Sequence, residues 1–206
     1  MPELVLYTHP MSRGRIARWM LEEVGAPYET VVLEYGAPMK APDYLAINPM
    51  GKVPAIRHGG VVVTETAAIC AYLADAFPAA GLAPPPAARA AYYRWLFFAA
   101  GPLEQLVTFN GCGIAVPAEK ERTVGFGNQA AVLAALEAAL AHGGYIAGES
   151  FTAADVYLGA QLWWGTQFGM LPRRPVLERY WEKLEVRPAH RRATELDDAL
   201  ISPAAG

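Results

Sequence analysis

The sequence predicts an α/β domain followed by an all-helical domain, because the residue pattern changes about two-fifths of the way along the chain. Residues 4–7 are typical of a short buried strand, residues 13–25 of an amphipathic helix, and residues 28–33 of a second strand. Such a strand-helix-strand unit is typical of parallel strands joined by a crossover helix. From residue 87 onward the chain has helical patterns only.

Two further strands and a helix complete the first predicted domain. Residues 55–57 and 61–63 flank His58-Gly59-Gly60, a sequence that favours a tight antiparallel hairpin. Residues 65–77 place their apolar side chains on one stripe and so predict a helix. Proline, alanine and glycine without helical or strand period then indicate a linker. The predicted limits are a first domain at 1–79, a linker at 80–88 and a helical domain at 89–206.

Five helical runs are predicted in the second domain. Gly101-Pro102 lies within the first of them and should kink or split it, because proline removes a helical hydrogen bond. Thr152 and Asp155 have the spacing of a capping box, which predicts that a helix begins there. The five runs are 89–108, 118–141, 152–168, 175–186 and 189–200.

Charge and composition exclude several classes of function. The net charge is -3 and the basic residues are scattered, so nucleic-acid binding is not expected. The first five residues lack the features of a signal peptide, and no apolar run approaches the roughly 18 residues that a membrane span needs. We therefore expect a cytoplasmic protein without a membrane partner. Cys70 and Cys112 lie far apart, so neither a disulfide framework nor a metal site is indicated.

The segment Asn48-Pro49-Met50-Gly51-Lys52-Val53-Pro54 is the main candidate for a ligand-binding turn. It places an X-Pro bond directly before a strand, and only X-Pro bonds adopt the cis form at low cost. A cis bond at Pro54 would leave the N–H and C=O of Val53 available to a peptide-like ligand. An ordinary trans-proline turn is the alternative, and the segment alone does not decide between them.

Several segments, each weak alone, occur together in a specific order and at specific intervals. They are Leu6-Tyr7 with Ser12-Arg13, the turn ending at Pro54, Glu65-Thr66-Ala67-Ala68-Ile69 with Tyr72-Leu73, the linker, and Phe151-Thr152-Ala153-Ala154-Asp155. Over nearly the whole chain they resemble the soluble glutathione S-transferases, in particular their bacterial, theta-like serine type. The resemblance implies a thioredoxin-like first domain, a C-terminal helical bundle domain, a homodimer, a role in detoxification, and glutathione as co-substrate without any cofactor or metal.

The resemblance also implies a role for each residue that would contact glutathione. Glu65 would take the α-amino group, and Thr66, at a helix start, would give its hydroxyl and N–H to the α-carboxylate. Family members more often have serine at the position of Thr66. The backbone of Val53 would pair with the cysteinyl part, which is why the family needs a cis bond at Pro54. Lys52 would reach the glycyl carboxylate.

Ser12 is the candidate for activating the thiol, and Tyr7 is its competitor. Each unit by which the thiol pKa falls below about 8.5 requires about 1.4 kcal/mol, which a hydroxyl donor at a helix N-terminus can supply. Ser12 resembles the serine of theta-like and related bacterial classes; alternatively, it only caps the first helix. Other classes use a tyrosine before an Arg-Gly-Arg segment like residues 13–15, but with shorter spacing. Arg13 or Arg15 could instead act electrostatically or simply face solvent.

The second substrate is expected to be a hydrophobic electrophile whose identity the sequence does not give. Pro10 and Met11 are its candidate contacts, and Lys40 is a second cation that could assist Lys52 or be solvated. Apolar residues of the second domain could line the pocket or form core: Trp95, Phe98, Leu103, Trp163, Trp164 and Phe168.

Two alternatives to a general glutathione transferase stay open. One is a maleylacetoacetate-isomerase-like enzyme, although the Ser-Ser-Cys segment of those enzymes is missing around Ser12. The other is a non-catalytic binding or assembly module.

Overall fold

The computed structural model describes residues 3–201 and divides into two compact units. The first runs to Gly81 and takes in the chain again from Val186, and the second comprises Leu82–Glu185. The domain limits predicted from the sequence remain a proposal; they include residues 1, 2 and 202–206, which lie outside the described part. Among the helices of residues 3–201, none combines the length with the apolar character that a membrane-spanning helix requires.

The first unit is built on a four-stranded mixed sheet. Its strands are β1 (Leu4–Thr8), β2 (Glu29–Val32), β3 (Ala55–His58) and β4 (Val61–Thr64). They lie in the order β2-β1-β3-β4, with β1 and β2 parallel, as predicted, and the other two pairs antiparallel. All five residues of β1 are buried, because this strand is central and the chain covers both of its faces.

Nine helices lie in the described part of the chain. The first begins after the loop that follows β1 and ends at Gly25, which has a φ of 72° and so provides the predicted stop. The helices are α1 (Gly14–Val24), α2 (Pro42–Leu45), α3 (Thr66–Ala76), α4 (Ala90–Phe98), α5 (Glu104–Gly111), α6 (Gln129–Leu140), α7 (Ala153–Gln167), α8 (Pro175–Glu185) and α9 (Pro188–Asp198). With the sheet, they confirm the predicted fold class.

The last helix, α9, packs on α1 within the first unit. Arg18 of α1 and Asp197 of α9 form a buried ion pair at 2.8 Å, and Arg187 pairs with both carboxylate oxygens of Glu23 at 2.6 and 2.7 Å. The sequence does not reveal this pairing, because a charge on one helix does not identify its partner on another. The contacts of α9 join it to the α/β unit.

The second unit confirms one predicted break and corrects one predicted helix. Residues Ala99–Leu103, which contain Pro102, form a π-helical turn between α4 and α5. The continuous helix predicted over 118–141 is wrong, since only a 3-10 turn and α6 form there. Gly125 and Gly127 favour a non-helical backbone between them, and Asn128 starts α6 by accepting the N–H of Ala131 at 2.9 Å.

The predicted capping box at the start of α7 is confirmed. The carboxylate of Asp155 accepts the backbone N–H of Thr152 at 2.9 Å, and the Thr152 hydroxyl accepts the N–H of Ala154 at 3.3 Å. Burial raises the pKa of Asp155, while hydrogen bonds from the Ile146 N–H and the Tyr180 hydroxyl oppose that shift. The box therefore lies within a buried polar network that fixes the start of the helix.

Candidate active site

One edge of the sheet brings the predicted site segments together. Tyr7 is the register partner of Ala55, and Ala55 is the partner of Thr64, so the end of β1, the start of β3 and the end of β4 are neighbours. The loop after β1, the turn before β3 and the beginning of α3 therefore leave the sheet on the same side. These three segments carry all of the residues predicted to contact glutathione.

Ser12 lies at the start of α1 with its side chain almost fully buried. Its hydroxyl donates to the backbone carbonyl of His9 at 2.6 Å and accepts the N–H of Gly14 at 2.9 Å. Since Gly14 is the first residue of α1, the Ser12 oxygen stands where unpaired N–H groups and the helix dipole favour an anion. This position is compatible both with a capping role and with hydrogen-bond donation to an anionic sulfur.

His9 and Tyr35 hold the loop after β1, although neither was predicted to have a role. His9 Nδ1 accepts the N–H of Met11 at 3.1 Å, and its ring packs on that of Tyr35 with centroids 4.3 Å apart. The Tyr35 hydroxyl donates to the Met11 carbonyl at 2.9 Å. A histidine directly after a strand is a local signal for His9, whereas the hydrogen bond between Tyr35 and Met11 joins residues 24 positions apart and is visible only in the tertiary structure. Of the predicted substrate contacts, Met11 is 58% exposed and Pro10 is buried.

Tyr7, the competing activator, belongs to the apolar layer beneath the sheet. It is 7% exposed and packs in a cluster with Val5, Met39 and Ala55. Its ring meets that of Tyr44 with centroids 5.8 Å apart. This environment favours a packing role for the phenol ring.

Arg13 and Arg15, the two arginines that could stabilise the thiolate electrostatically, lie on either side of Gly14. Arg15 donates to the Pro10 carbonyl and pairs with Asp198, each at 2.5 Å. Arg13 is half-buried. The charge of Arg15 is therefore already balanced by a carboxylate of the last helix.

The turn before β3 is held by three side chains. Asn48 donates to the carbonyl of Lys52 at 2.7 Å and accepts the N–H of Met50 at 3.1 Å. The Tyr44 hydroxyl also donates to the Lys52 carbonyl, at 2.6 Å, and burial raises its pKa to about 12, so it stays protonated. Lys40 donates to the carbonyl of Met50 at 2.8 Å. The ammonium group of Lys40 thus supports the turn, and the Lys52 side chain is exposed beside it.

The backbone of this turn has the form predicted for it. The Val53–Pro54 bond is cis, which confirms the prediction made from the sequence. Gly51 has a φ of 56°, and a Cβ there would stand 2.5 Å from the carbonyl oxygen of Met39. Only glycine fits this position, because any side chain would collide with that backbone. Val53 is half-buried and packs against the cluster that contains Tyr7.

Glu65 precedes α3 in an unusual backbone conformation. Its φ of 66° and ψ of 119° lie outside the regions that residues with a side chain ordinarily occupy. Strain of this kind costs about 1–3 kcal/mol and is concentrated at functional sites. The Glu65 side chain is exposed, while Thr66, the first residue of α3, is 8% exposed. The α3 N-terminus therefore presents a carboxylate, a hydroxyl and backbone N–H groups.

The apolar residues proposed from the second domain are divided between core and surface. Trp95 and Leu103 are buried in the core of the helical unit, and Phe98 packs on Trp95 with centroids 5.1 Å apart. Trp163 stacks on Trp181 of α8, and Phe168 is 65% exposed. Within residues 3–201, no group of three or more His, Cys, Asp or Glu side chains could hold a metal ion.

Comparisons with known proteins identify the family. A model of the glutathione S-transferase N-terminal domain matches residues 2–75, and a model of the C-terminal domain matches residues 117–166. Glutathione S-transferase 3 of Zea mays is 34% identical over an alignment that covers 92% of each chain. The chain belongs to the glutathione S-transferase family. The family resemblance stated from the sequence is confirmed.

Solved glutathione S-transferases share the fold over almost the entire chain. The theta class enzyme of Xanthomonas axonopodis pv. citri, solved with glutathione bound, is 30% identical with a TM-score of 0.71, covering 94% of this chain and 98% of that one. The glutathione transferase of Methylococcus capsulatus is 27% identical with a TM-score of 0.79, and the match covers 95% of this chain and 99% of that one. The N-terminal family match, over residues 2–75, includes all three segments of the candidate site described above.

Proposed function

We propose that Ser12 of this glutathione transferase activates the glutathione thiol for attack on a hydrophobic electrophile. One observation supports this role most directly: the Ser12 oxygen lies at the N-terminus of α1 and accepts the Gly14 N–H. It stands on the sheet edge from which the turn before β3 and the start of α3 also leave.

Glutathione would bind along this edge through its charged ends and its peptide bonds. The Glu65 carboxylate takes the α-ammonium group, and the hydroxyl and N–H of Thr66 take the α-carboxylate at the positive end of α3. The backbone of Val53 pairs with the cysteinyl part. Lys52 reaches the glycyl carboxylate, because the ammonium group of Lys40 is already bound to carbonyls of the turn.

The chemical step needs the sulfur as an anion near neutral pH. The Ser12 hydroxyl turns its hydrogen from the His9 carbonyl to the sulfur, and the thiol proton passes to solvent. A hydrogen bond to a charged group contributes about 1.5–3 kcal/mol, which lowers the thiol pKa by about one to two units. The thiolate then forms a bond from sulfur to the electrophilic carbon, from which a leaving group departs with the bonding electrons.

Two matched variants test the choice of activator. Ser12→Ala should lower kcat for a chlorinated nitrobenzene about 10- to 100-fold and change KM for glutathione little, since the interaction is concentrated in the anion and transition state. Tyr7→Phe should leave kcat within a few-fold of the parent value. Greater damage from Tyr7→Phe would contradict the assignment. Tight glutathione binding by the parent without turnover would favour the non-catalytic module.

We also propose that the enzyme acts as a cytoplasmic homodimer in detoxification, without a cofactor beyond its co-substrate. Membership of the family supports these points, and the residue composition supports the location. Sedimentation of the purified chain should give twice the 22.2 kDa mass of the protomer. A mass equal to one protomer at micromolar concentration would contradict the dimer.

A further inference from the structure

Thr8, the last residue of β1, carries a hydroxyl that the fold leaves without a partner. The residue is 0% exposed, and within the described part of the chain Thr8 Oγ1 forms no hydrogen bond. Buried polar groups are nearly always hydrogen-bonded, because leaving one unsatisfied is costly. The mechanism proposed above does not use this group.

The Thr8 hydroxyl lies beside the hydroxyl proposed to activate the thiol. A Cβ on Gly14 would stand 1.9 Å from Thr8 Oγ1 and 2.9 Å from Ser12 Oγ, so both oxygens border the same point at the start of α1. Space for this arrangement exists because residue 14 is glycine: the Thr8 hydroxyl occupies the volume that a side chain at that position would need.

The Ser12 oxygen can accept one more hydrogen bond, both in this structure and when the substrate is bound. In this structure the Ser12 hydrogen is donated to the His9 carbonyl, and one lone pair accepts the Gly14 N–H. When the hydrogen turns to the substrate sulfur, Ser12 Oγ keeps a second lone pair that can accept. A second donor to the same oxygen polarises its O–H bond and strengthens the hydrogen bond that it donates.

We propose that Thr8 is a positioning residue whose hydroxyl donates to Ser12 Oγ while Ser12 donates to the sulfur of glutathione. The inference rests on the proposed function of Ser12. Thr8 and Gly14 then hold the Ser12 oxygen from two sides, with its single hydrogen directed at the sulfur. Each hydroxyl keeps its own proton, so the step changes hydrogen bonds only.

The test compares Thr8→Val, which keeps the side-chain shape without the hydroxyl, with Thr8→Ser, which keeps the hydroxyl. The pKa of the bound glutathione thiol is read from thiolate absorbance as a function of pH. Thr8→Val should reduce the thiolate fraction and kcat below that pKa about 2- to 10-fold, the size of one neutral hydrogen bond, with KM for glutathione unchanged. Thr8→Ser should restore both values.

Thr8→Val should fold at least as stably as the parent, because it removes an unsatisfied buried hydroxyl. Thr8→Ala serves as a second hydroxyl-free variant if the valine variant does not fold. The proposal would be overturned if a folded Thr8→Val or Thr8→Ala variant left the pKa of the bound thiol unchanged. It would also be overturned if Thr8→Ser raised that pKa as much as Thr8→Val does.

The Ser12→Ala background separates this proposal from the function on which it rests. If Ser12→Ala leaves the thiol pKa unchanged, the proposed role of Ser12 itself is wrong. If Ser12→Ala raises the pKa but Thr8→Val does not, only the role of Thr8 is wrong. In the double variant Thr8→Val should add nothing, since its effect passes through Ser12; additive shifts would also overturn the proposal.

Discussion

Replacing Glu65 by glycine should make the protein more stable and a poorer binder of glutathione. At φ 66° and ψ 119° the native backbone is strained by about 1–3 kcal/mol, which glycine relieves because it lacks a Cβ. Glycine also gives the unfolded chain more freedom, at a cost of about 0.5–1 kcal/mol. The net gain is about 1 kcal/mol, or about 2–4 °C in Tm for a chain of this length.

The loss of binding follows from the carboxylate that Glu65 is proposed to offer. One hydrogen bond to a charged group contributes about 1.5–3 kcal/mol, so the Kd for glutathione should rise about 10- to 100-fold by titration calorimetry. Glu65→Gln keeps the backbone strain and retains an uncharged acceptor, so it should lose less affinity for glutathione than Glu65→Gly does.

Glu65→Ala is the control for the stability effect. It removes the same carboxylate and keeps the Cβ, so it should bind glutathione as poorly as the glycine variant without gaining stability. Because glycine carries an entropic cost of about 0.5–1 kcal/mol, equal Tm values for the alanine and glycine variants would limit the strain to about that amount, and a glycine variant less stable than the alanine variant would show that the backbone stores no strain. Parent-like affinity in both would exclude Glu65 as the partner of the α-ammonium group.

Three further predictions concern the turn, the core and a helix cap. Asn48→Ala removes two hydrogen bonds that hold the turn at Lys52, so the free energy of unfolding in urea should fall by about 2 kcal/mol. The affinity for glutathione should fall with it. An unaltered affinity would show that the turn does not need these hydrogen bonds. Burial raises the pKa of Cys70 to about 12, so the parent should lose stability above about pH 8.5, where the thiol ionises in the unfolded chain only. The difference in free energy of unfolding between the parent and Cys70→Ala should therefore shrink by up to about 1.4 kcal/mol per pH unit. A free-energy difference that stays constant between pH 7 and 10 would contradict this. Thr152→Ala should cost about 1 kcal/mol by removing the cap of α7, and an unchanged unfolding midpoint would exclude that role.

The fold and the meeting of the three candidate-site segments could be predicted because their signals are local. β1 is a short apolar run, Gly25 ends the first helix, and the hairpin glycines fix the pairing of β3 with β4. Once β1 and β3 are antiparallel neighbours, the loops that carry the site must meet at one edge. The turn that ends at Pro54 was recognisable for the same reason, since its residues are contiguous.

What could not be predicted depends on contacts between distant residues. The alanine-rich pattern of α6 masked its true start at Asn128, since a helical period does not reveal which side chain caps it. The pairing of Arg18 with Asp197 joins residues 179 positions apart. Thr8 resembled any polar residue at a strand end until the structure showed its burial and its closeness to Gly14.

A crystal structure with glutathione bound would test the roles of Ser12, Val53 and Glu65 together. We expect the sulfur to lie within hydrogen-bonding distance of Ser12 Oγ, with the cysteinyl backbone paired to Val53 and the α-ammonium group at Glu65. A sulfur that instead contacts the Tyr7 hydroxyl, or a glutathione molecule bound away from this edge of the sheet, would contradict this expectation.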